Sequence, residues 1–327
     1  MRIALPAHID AHAFADCDPR IAVGELHGET MGTTWSLRFA APEGTDVPAI
    51  RAAVEARLAT IIAEMSHWEP ESLLCRFNRA PAGSWAVLPD DFAAVIGAGL
   101  AIAEASGGAF DPAIGRLVDL WGFGPPGPKP VPDALAVTAA REASGWTRLT
   151  WDAPTRRLRQ PGGLALDFSG IAKGYAVDVV ADLLAGMGMR HMLVEIGGEL
   201  AGRGVRPDGE PWWVDLETPP GIATSADLSL RLALHDIAVA TSGNYRRGEH
   251  TIDPRTGRPT ENGLASVSVI APSAMLADGW ASALTVAGPE HGPALAAKHG
   301  LAARFVTIRE NAVQEILTSA LEALLAD

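Results

Sequence analysis

Lysine and cysteine are scarce in this 327-residue chain. Only Lys129, Lys173 and Lys298 carry an ammonium group, and arginine supplies nearly all the other positive charge, so each lysine draws attention. Cys17 and Cys75 give neither a disulfide framework nor a metal-ligand spacing. Both read as incidental thiols. Excess positive charge is missing as well: a net charge of −13 argues against nucleic acid and anionic membranes, which select basic surfaces. No stretch reaches the ~18 apolar residues that a membrane-spanning helix needs. The opening MRIALPAHIDAHAFADC is interrupted by His8, Asp10 and His12 and lacks a signal peptide's apolar run. As given, the chain is expected to be soluble and cytoplasmic, or periplasmic if a leader has been removed.

Several motifs are absent too. No G-x-x-x-x-G-K-[ST] occurs, which excludes a P-loop, and Gly197-Gly198-Glu199 is not followed by the rest of a G-x-G-x-x-G fingerprint. Neither a G-x-S-x-G elbow nor an H-E-x-x-H zinc motif is present. There is no internal repeat and no low-complexity tract.

What remains is globular: 48% of residues are hydrophobic and 20% charged, on a chain long enough to bury a full core. Residues 33–39 alternate polar and apolar like a half-buried strand, and Ile50, Val54, Leu58, Ile61 and Met65 recur at helical spacing. A second helix is predicted over 90–105, ending at Gly107-Gly108. The glycine- and proline-rich WGFGPPGPKPVP, 121–132, is a loop that could divide two lobes or cover an active site. A short buried strand over 164–168 and a helix over 171–184 follow. Further strands are predicted at 191–196, 212–216, 228–234 and 266–270. Ser273 can cap a helix that runs to about Ala287 with Gly288 past its end, Pro289 opens another, and Asn311 caps the last. Without strict strand–helix alternation the pattern predicts an α+β fold with a mixed sheet.

Three segments could carry chemistry. In LDFSGIAKGYAVD, Asp167 ends a strand and Ser169-Gly170 lead into a helix whose free N–H groups form a natural anion site. Lys173 in that first turn is mildly unfavourable against the helix dipole unless it faces an anion such as a phosphate. The plainer alternative is that Asp167 and Ser169 cap the helix and Lys173 is solvated. In APSAMLADGWASALTVAG, Asp278 and Ser282 lie four apart on one face of an otherwise apolar helix. A carboxylate and a hydroxyl are hard donors suited to magnesium or calcium, unless they form only a polar surface stripe. In TSGNYRRGEHTIDPRTGRP, His250 and Asp253 are acid–base candidates, against a solvated turn around Asp253-Pro254.

Taken together, these segments resemble the FAD:protein FMN transferase family, the ApbE type. The matching blocks run in family order. MGTTWSLRF begins at Met31, MSHWEPESLLCRFN at Met65, AFDPAIGRLVDLWGFGP at Ala109, and LDFSGIAKGYAVD at Leu166. LVEIGGELAGRG begins at Leu193, ATSGNYRRGEHTIDPRTGRP at Ala240, and VIAPSAMLADGWASAL at Val269. The resemblance implies an N-terminal extension over 1–24 and one α+β transferase domain over 25–327, with two lobes meeting near 121–132 as a variant. It implies that FAD is the substrate and Mg2+ the cofactor, and that FMN passes to a threonine or serine of an acceptor flavoprotein while AMP leaves. Carried over by position, Met31, Trp68, Ala109, Phe110, Asp111, Asp167, Lys173 and Ile252 would contact FAD. The Gly170 carbonyl, Asp278 and Ser282 would hold the metal, and His250 and Asp278 would be catalytic.

The sequence departs from the family pattern in places. Trp68 stands where tyrosine is usual, Ser282 where threonine is, and Gly279-Trp280 replaces small aliphatics. The usual lipobox is absent. Two other readings use much the same residues: a metal-dependent FAD pyrophosphatase yielding FMN and AMP, and a non-catalytic FAD-binding protein.

Overall fold

Antiparallel pairing organises this chain, and its longest sheet joins three hairpins of consecutive strands to two strands reached by longer connections. The computed structural model describes residues 1–9, 11–15, 17–217, 229–243, 250–309 and 312–326. In chain order the strands are β1 (Arg2–Ala4), β2 (Ala22–Thr30), β3 (Thr33–Ala41), β4 (Trp85–Val87), β5 (Thr150–Asp152), β6 (Arg157–Arg159), β7 (Met192–Ile196) and β8 (Glu199–Arg203). They continue as β9 (Trp212–Asp215), β10 (Leu230–Leu234), β11 (Ile237–Gly243), β12 (Ile252–Asp253), β13 (Arg258–Pro259), β14 (Leu264–Ala271), β15 (Ala302–Arg309) and β16 (Ala312–Leu317). The helices are α1 (Val47–Met65), α2 (Leu73–Arg79), α3 (Asp90–Ala105), α4 (Gly115–Leu120), α5 (Ala134–Ala143), α6 (Ala172–Gly186), α7 (Ala274–Lys298) and α8 (Ser319–Glu322).

Eight strands form the main sheet in the order β16-β15-β14-β11-β8-β7-β3-β2. One face carries α1, α3, α6 and α7 over a core that includes Phe39, Leu58, Phe92, Phe168, Val177 and Leu284. On the other face the small sheet β1-β10-β9 and α8 cover Leu193, Val239 and Ile270 with Trp212, Leu232 and Leu321. Covered on both faces, β14 is buried at all eight positions, and its sequence LASVSVIA is small or aliphatic, with Ser266 and Ser268 its two polar residues. The fold is α+β.

Local chemistry accounts for the site-bearing elements. The β2–β3 hairpin turns on Met31-Gly32, both with positive φ (49° and 71°), as a two-residue hairpin loop requires. Glycine suits that region; methionine there is held by its surroundings. Asp46 caps α1 by accepting the Ala49 N–H, and the apolar residues 50, 54, 58, 61 and 65 all face inward. Ser273 caps α7, which bends at Gly288 (φ 76°) and resumes at Pro289.

Two expectations are corrected. Residues 164–168 are extended and buried but join no ladder, because the Asn78 side chain bonds both the N–H and the C=O of Leu166 (2.7 and 3.0 Å) in place of a partner strand. The last predicted helix is instead β16, which pairs with β15; Asn311, its supposed cap, lies outside the described residues, as does Leu228 at the start of the predicted strand over 228–234. No described helix is long and apolar enough to cross a membrane.

The contact that positions the site is between α6 and α7. A Cβ built on Gly174 would lie 2.1 Å from the Ala274 carbonyl oxygen and 2.8 Å from the Asp278 Cβ, so only glycine allows the approach. Gly174→Ala is expected to lower the unfolding free energy by about 1–3 kcal/mol, the usual penalty of overpacking. A lower urea midpoint with an unchanged slope would confirm it.

Candidate active site

The start of α6 faces the first two turns of α7. Asp278 Oδ2 accepts the Gly174 N–H at 3.0 Å, one of the donors that a helix start leaves without an intrahelical partner. One turn further along α7, the Ser282 hydroxyl reaches the Gly170 carbonyl at 3.4 Å. A Cβ on Gly170 would sit 2.7 Å from the Ser282 Oγ, so the glycine keeps that carbonyl open to the hydroxyl. Asp278 is 5% exposed, which rules out the surface-stripe reading of its helix face. Burial raises its pKa above the ordinary carboxylate range, with partial opposition from Lys173 and from the Gly174 N–H.

This donor set fits a hard divalent cation. Gly170 O, the Asp278 carboxylate and the Ser282 hydroxyl are all oxygens, the chemistry magnesium takes. Only one of them is a carboxylate, and no cluster of three or more His, Cys, Asp or Glu side chains suited to a metal occurs among the described residues. A magnesium here would therefore complete its shell with water and substrate phosphates, its common habit.

Lys173, in the first turn of α6, faces an anion, as its position suggested, but that anion is Glu199 at the head of β8. Glu199 is 2% exposed. Burial pushes its pKa up to about 7; attraction to Lys173 opposes the shift and repulsion from Asp278 adds to it. Gly197 permits this arrangement, since a Cβ there would meet the Thr33 Cγ2 at 2.9 Å and the Lys173 Cδ at 3.3 Å. The hairpin carrying Met31 thus lies beside the lysine stem, over an open hollow of ≈ 560 Å³ lined by residues 29–34.

A second charged group adjoins the first. Asp167 accepts the Ser169 N–H at 2.8 Å and the His67 Nδ1–H at 2.7 Å, while His67 Nε2 lies 3.3 Å from Asp119 Oδ1. Burial disfavours the imidazolium, yet the bonds to Asp119 and Asp167 outweigh it and push the His67 pKa up to about 10. Burial works to raise the Asp167 pKa, but His67 and the Ser169 N–H hold it below the ordinary value. Neither Asp167 nor Ser169 caps α6, whose N-cap residue Ile171 has no side-chain bond.

Phe110 is buried with its ring edge 3.5 Å from the Cβ position at Gly170, and Ala109 is buried next to it. Asp111 accepts the N–H groups of Ala113 and Trp146, and burial lifts its pKa to about 6. Trp68 is 62% exposed. Ile252 is buried on β12, and His250, two residues earlier, is partly buried. Asp253 is committed to its own turn through Arg255. Both cysteines are free thiols. A further hollow of ≈ 440 Å³ at the α7 kink, lined by residues 261–263 and 286–291, contains none of these groups.

Sequence reading missed His67, Asp119 and Glu199. Glu199 sat in the rejected Gly-Gly-Glu fragment, where a lone acid after a strand gave no sign of its lysine partner. His67 and Asp119 both lay inside quoted family blocks, yet the contacts of His67 with Asp167 and with Asp119 span 100 and 52 residues of chain and have no local signature.

Comparison with known proteins gives this geometry a class. The FAD:protein FMN transferase of Vibrio cholerae serotype O1 is 33% identical over 336 aligned positions, covering 100% of both chains. That of Klebsiella pneumoniae is 35% identical over 303 positions, 89% of this chain and 86% of the relative. The crystal structure of Pseudomonas stutzeri flavinyl transferase ApbE, apo form, has a TM-score of 0.87 at 38% identity, with 94% of this chain and 98% of that one covered. Fold and relatives together define an enzyme of the transferase class on an α+β scaffold. The ApbE family model matches residues 31–305, and the chain belongs to that family.

The His67 bridge has a pH signature. A histidine whose folded pKa lies above the ordinary 6.5 contributes stability that is complete below that value and lost as pH rises through about 10. The stability gap between wild type and His67→Gln, from urea unfolding, should be constant near pH 6 and shrink toward pH 10. A gap that grows with pH would contradict the bridge.

Proposed function

We propose that this chain is a magnesium-dependent FAD:protein FMN transferase. The relatives' names supply the reaction, and the meeting of Gly170, Asp278 and Ser282 at the α6 start is the observation that carries the reading to this chain. Residues 25–327 would form the transferase domain. The acceptor is a protein bearing an exposed threonine or serine.

In this reading the acceptor hydroxyl oxygen attacks the FMN-side phosphorus of FAD. A phosphorus–oxygen bond to the acceptor forms, the diphosphate bridge breaks, and AMP leaves with the bridging oxygen. Phosphoryl transfer asks the protein chiefly for positioning and charge neutralisation. Gly170, Asp278 and Ser282 would hold the magnesium, which when bound supplies positive charge at the diphosphate. Lys173, next to Asp278, adds fixed positive potential on the same side. His250 takes the hydroxyl proton, a role that supplies ~10²–10⁴-fold when well placed. Met31, Trp68, Ala109, Phe110, Asp111, Asp167 and Ile252 are the proposed flavin and adenine contacts.

The test is FAD and magnesium with and without an acceptor, scored for AMP and for the mass gained by the acceptor. Stoichiometric AMP and FMN-sized mass support transfer; AMP with no added mass makes the chain an FAD pyrophosphatase; intact FAD makes it a binding protein. Asp278→Ala is expected to abolish AMP release while leaving the melting profile cooperative. His250→Gln should lower the transfer rate by ~10²-fold or more with little change in FAD affinity. Full activity in either variant would remove that residue from the mechanism.

A further inference from the structure

The two helices that build the metal site are locked by a third contact, which lies outside the site. Asp178, one turn beyond Gly174 on α6, accepts the N–H of Ala274 at 2.8 Å on one carboxylate oxygen and that of Met275 at 2.9 Å on the other. These two bonds take up the first two N–H groups of α7. The Leu276 N–H goes to the Ser273 hydroxyl and the Ala277 N–H to the Ser273 carbonyl. Three of the donors that a helix start leaves open, those of Ala274, Met275 and Leu276, are thus satisfied by side chains, two of them through Asp178.

The contacts form an antiparallel ladder with a one-turn step. Position 178 meets 274, position 174 meets 278, and position 170 meets 282. The first two rungs lie about 6 Å apart along either helix, and Gly170 sits in the turn just before α6. The first two rungs are reciprocal: a carboxylate of α6 caps the start of α7, and a carboxylate of α7 caps the start of α6. A bidentate acceptor fixes both the rotation and the axial position of α7, whereas Ser273 moves with α7 and fixes neither.

We propose that Asp178 is a positioning residue for the magnesium site, setting the register of α7 that brings Asp278 and Ser282 to Gly170. The inference rests on the transferase reading, because it assumes that those three residues hold the metal. A carboxylate two helical turns from the Gly170 carbonyl thereby controls the spacing of the donor set without touching metal or substrate.

The experiment is a manganese titration of the full chain with FAD present and no acceptor, following the free-ion signal by electron paramagnetic resonance. Four variants are compared with wild type: Asp178→Asn, Asp178→Ala, Ser273→Ala and Asp278→Ala. Loss of an outer partner of a metal site typically lowers affinity 10–100-fold. Asp178→Asn, which keeps one acceptor oxygen, should bind manganese about 10-fold more weakly. Asp178→Ala should bind more weakly still, and Asn decides if the alanine variant fails to fold. Ser273→Ala removes a cap from the same helix and should destabilise the protein while keeping wild-type affinity. In transfer assays Asp178→Asn should need more magnesium for half-maximal rate yet approach the wild-type kcat at saturation. Wild-type manganese affinity in Asp178→Asn, with affinity lost in Asp278→Ala, would overturn the positioning role and leave the site standing. Equal losses in Asp178→Asn and Ser273→Ala would also overturn it, reducing Asp178 to a helix cap. Undiminished affinity in Asp278→Ala would instead sink the metal reading itself.

Discussion

The closeness of α6 to α7 at Gly174 is the constraint on which the rest of the structure depends. With a Cβ position only 2.1 Å from a carbonyl of the facing helix, the two backbones are nearly in contact, and any larger residue would part them. That proximity lets a buried carboxylate on α7 reach a backbone N–H on α6, and it places a hydroxyl one turn later against an open carbonyl. The start of α6 and one face of α7 thus carry the three oxygen donors proposed for the metal. The main sheet supports this from below, and the fully buried β14 leads directly into the Ser273 cap of α7.

Charge in this region is arranged in layers of opposite sign. Asp278 and Glu199 flank Lys173, and each carboxyl is raised by burial while the lysine opposes the shift. Lys173, only partly buried, carries the positive charge that faces these two buried acids. Nearby, His67 between Asp167 and Asp119 repeats the pattern with the sign of the centre preserved. It ties the segment before α2 both to the approach to α6 and to α4, just ahead of the 121–132 loop. Since Trp121 donates its indole N–H to the Gly257 carbonyl, that loop is in turn anchored to the turn that follows Ile252. The proposed flavin contacts are thus connected through polar bonds that involve few of the residues proposed to do the chemistry.

Much of this was legible in the sequence wherever the pattern was local. The helix over 90–105 emerged with its predicted ends, the spacing of Ile50, Val54, Leu58, Ile61 and Met65 gave α1, and the Asp278–Ser282 interval put both groups on one face. What stayed hidden was carried by side chains that replace backbone partners or pair across long stretches of chain. Residues 164–168 have a strand's composition, but Asn78 takes the place of the neighbouring strand. The terminal hairpin reads as a helix because Asn311 resembles a cap and AVQEIL, 312–317, does not alternate polar and apolar; its pairing with β15 makes it a strand. Lys173 was understood to need an anion; that Glu199 provides one required the fold to bring together residues 26 apart.

The most direct measurement is an anomalous difference map from crystals of the protein grown with FAD and soaked in manganese. A single strong peak between the start of α6 and the first turns of α7, about 2.1 Å from oxygens of Asp278, Ser282 and Gly170, is the expected result. A peak elsewhere, or clear FAD density with its diphosphate turned away from Asp278, would contradict the account.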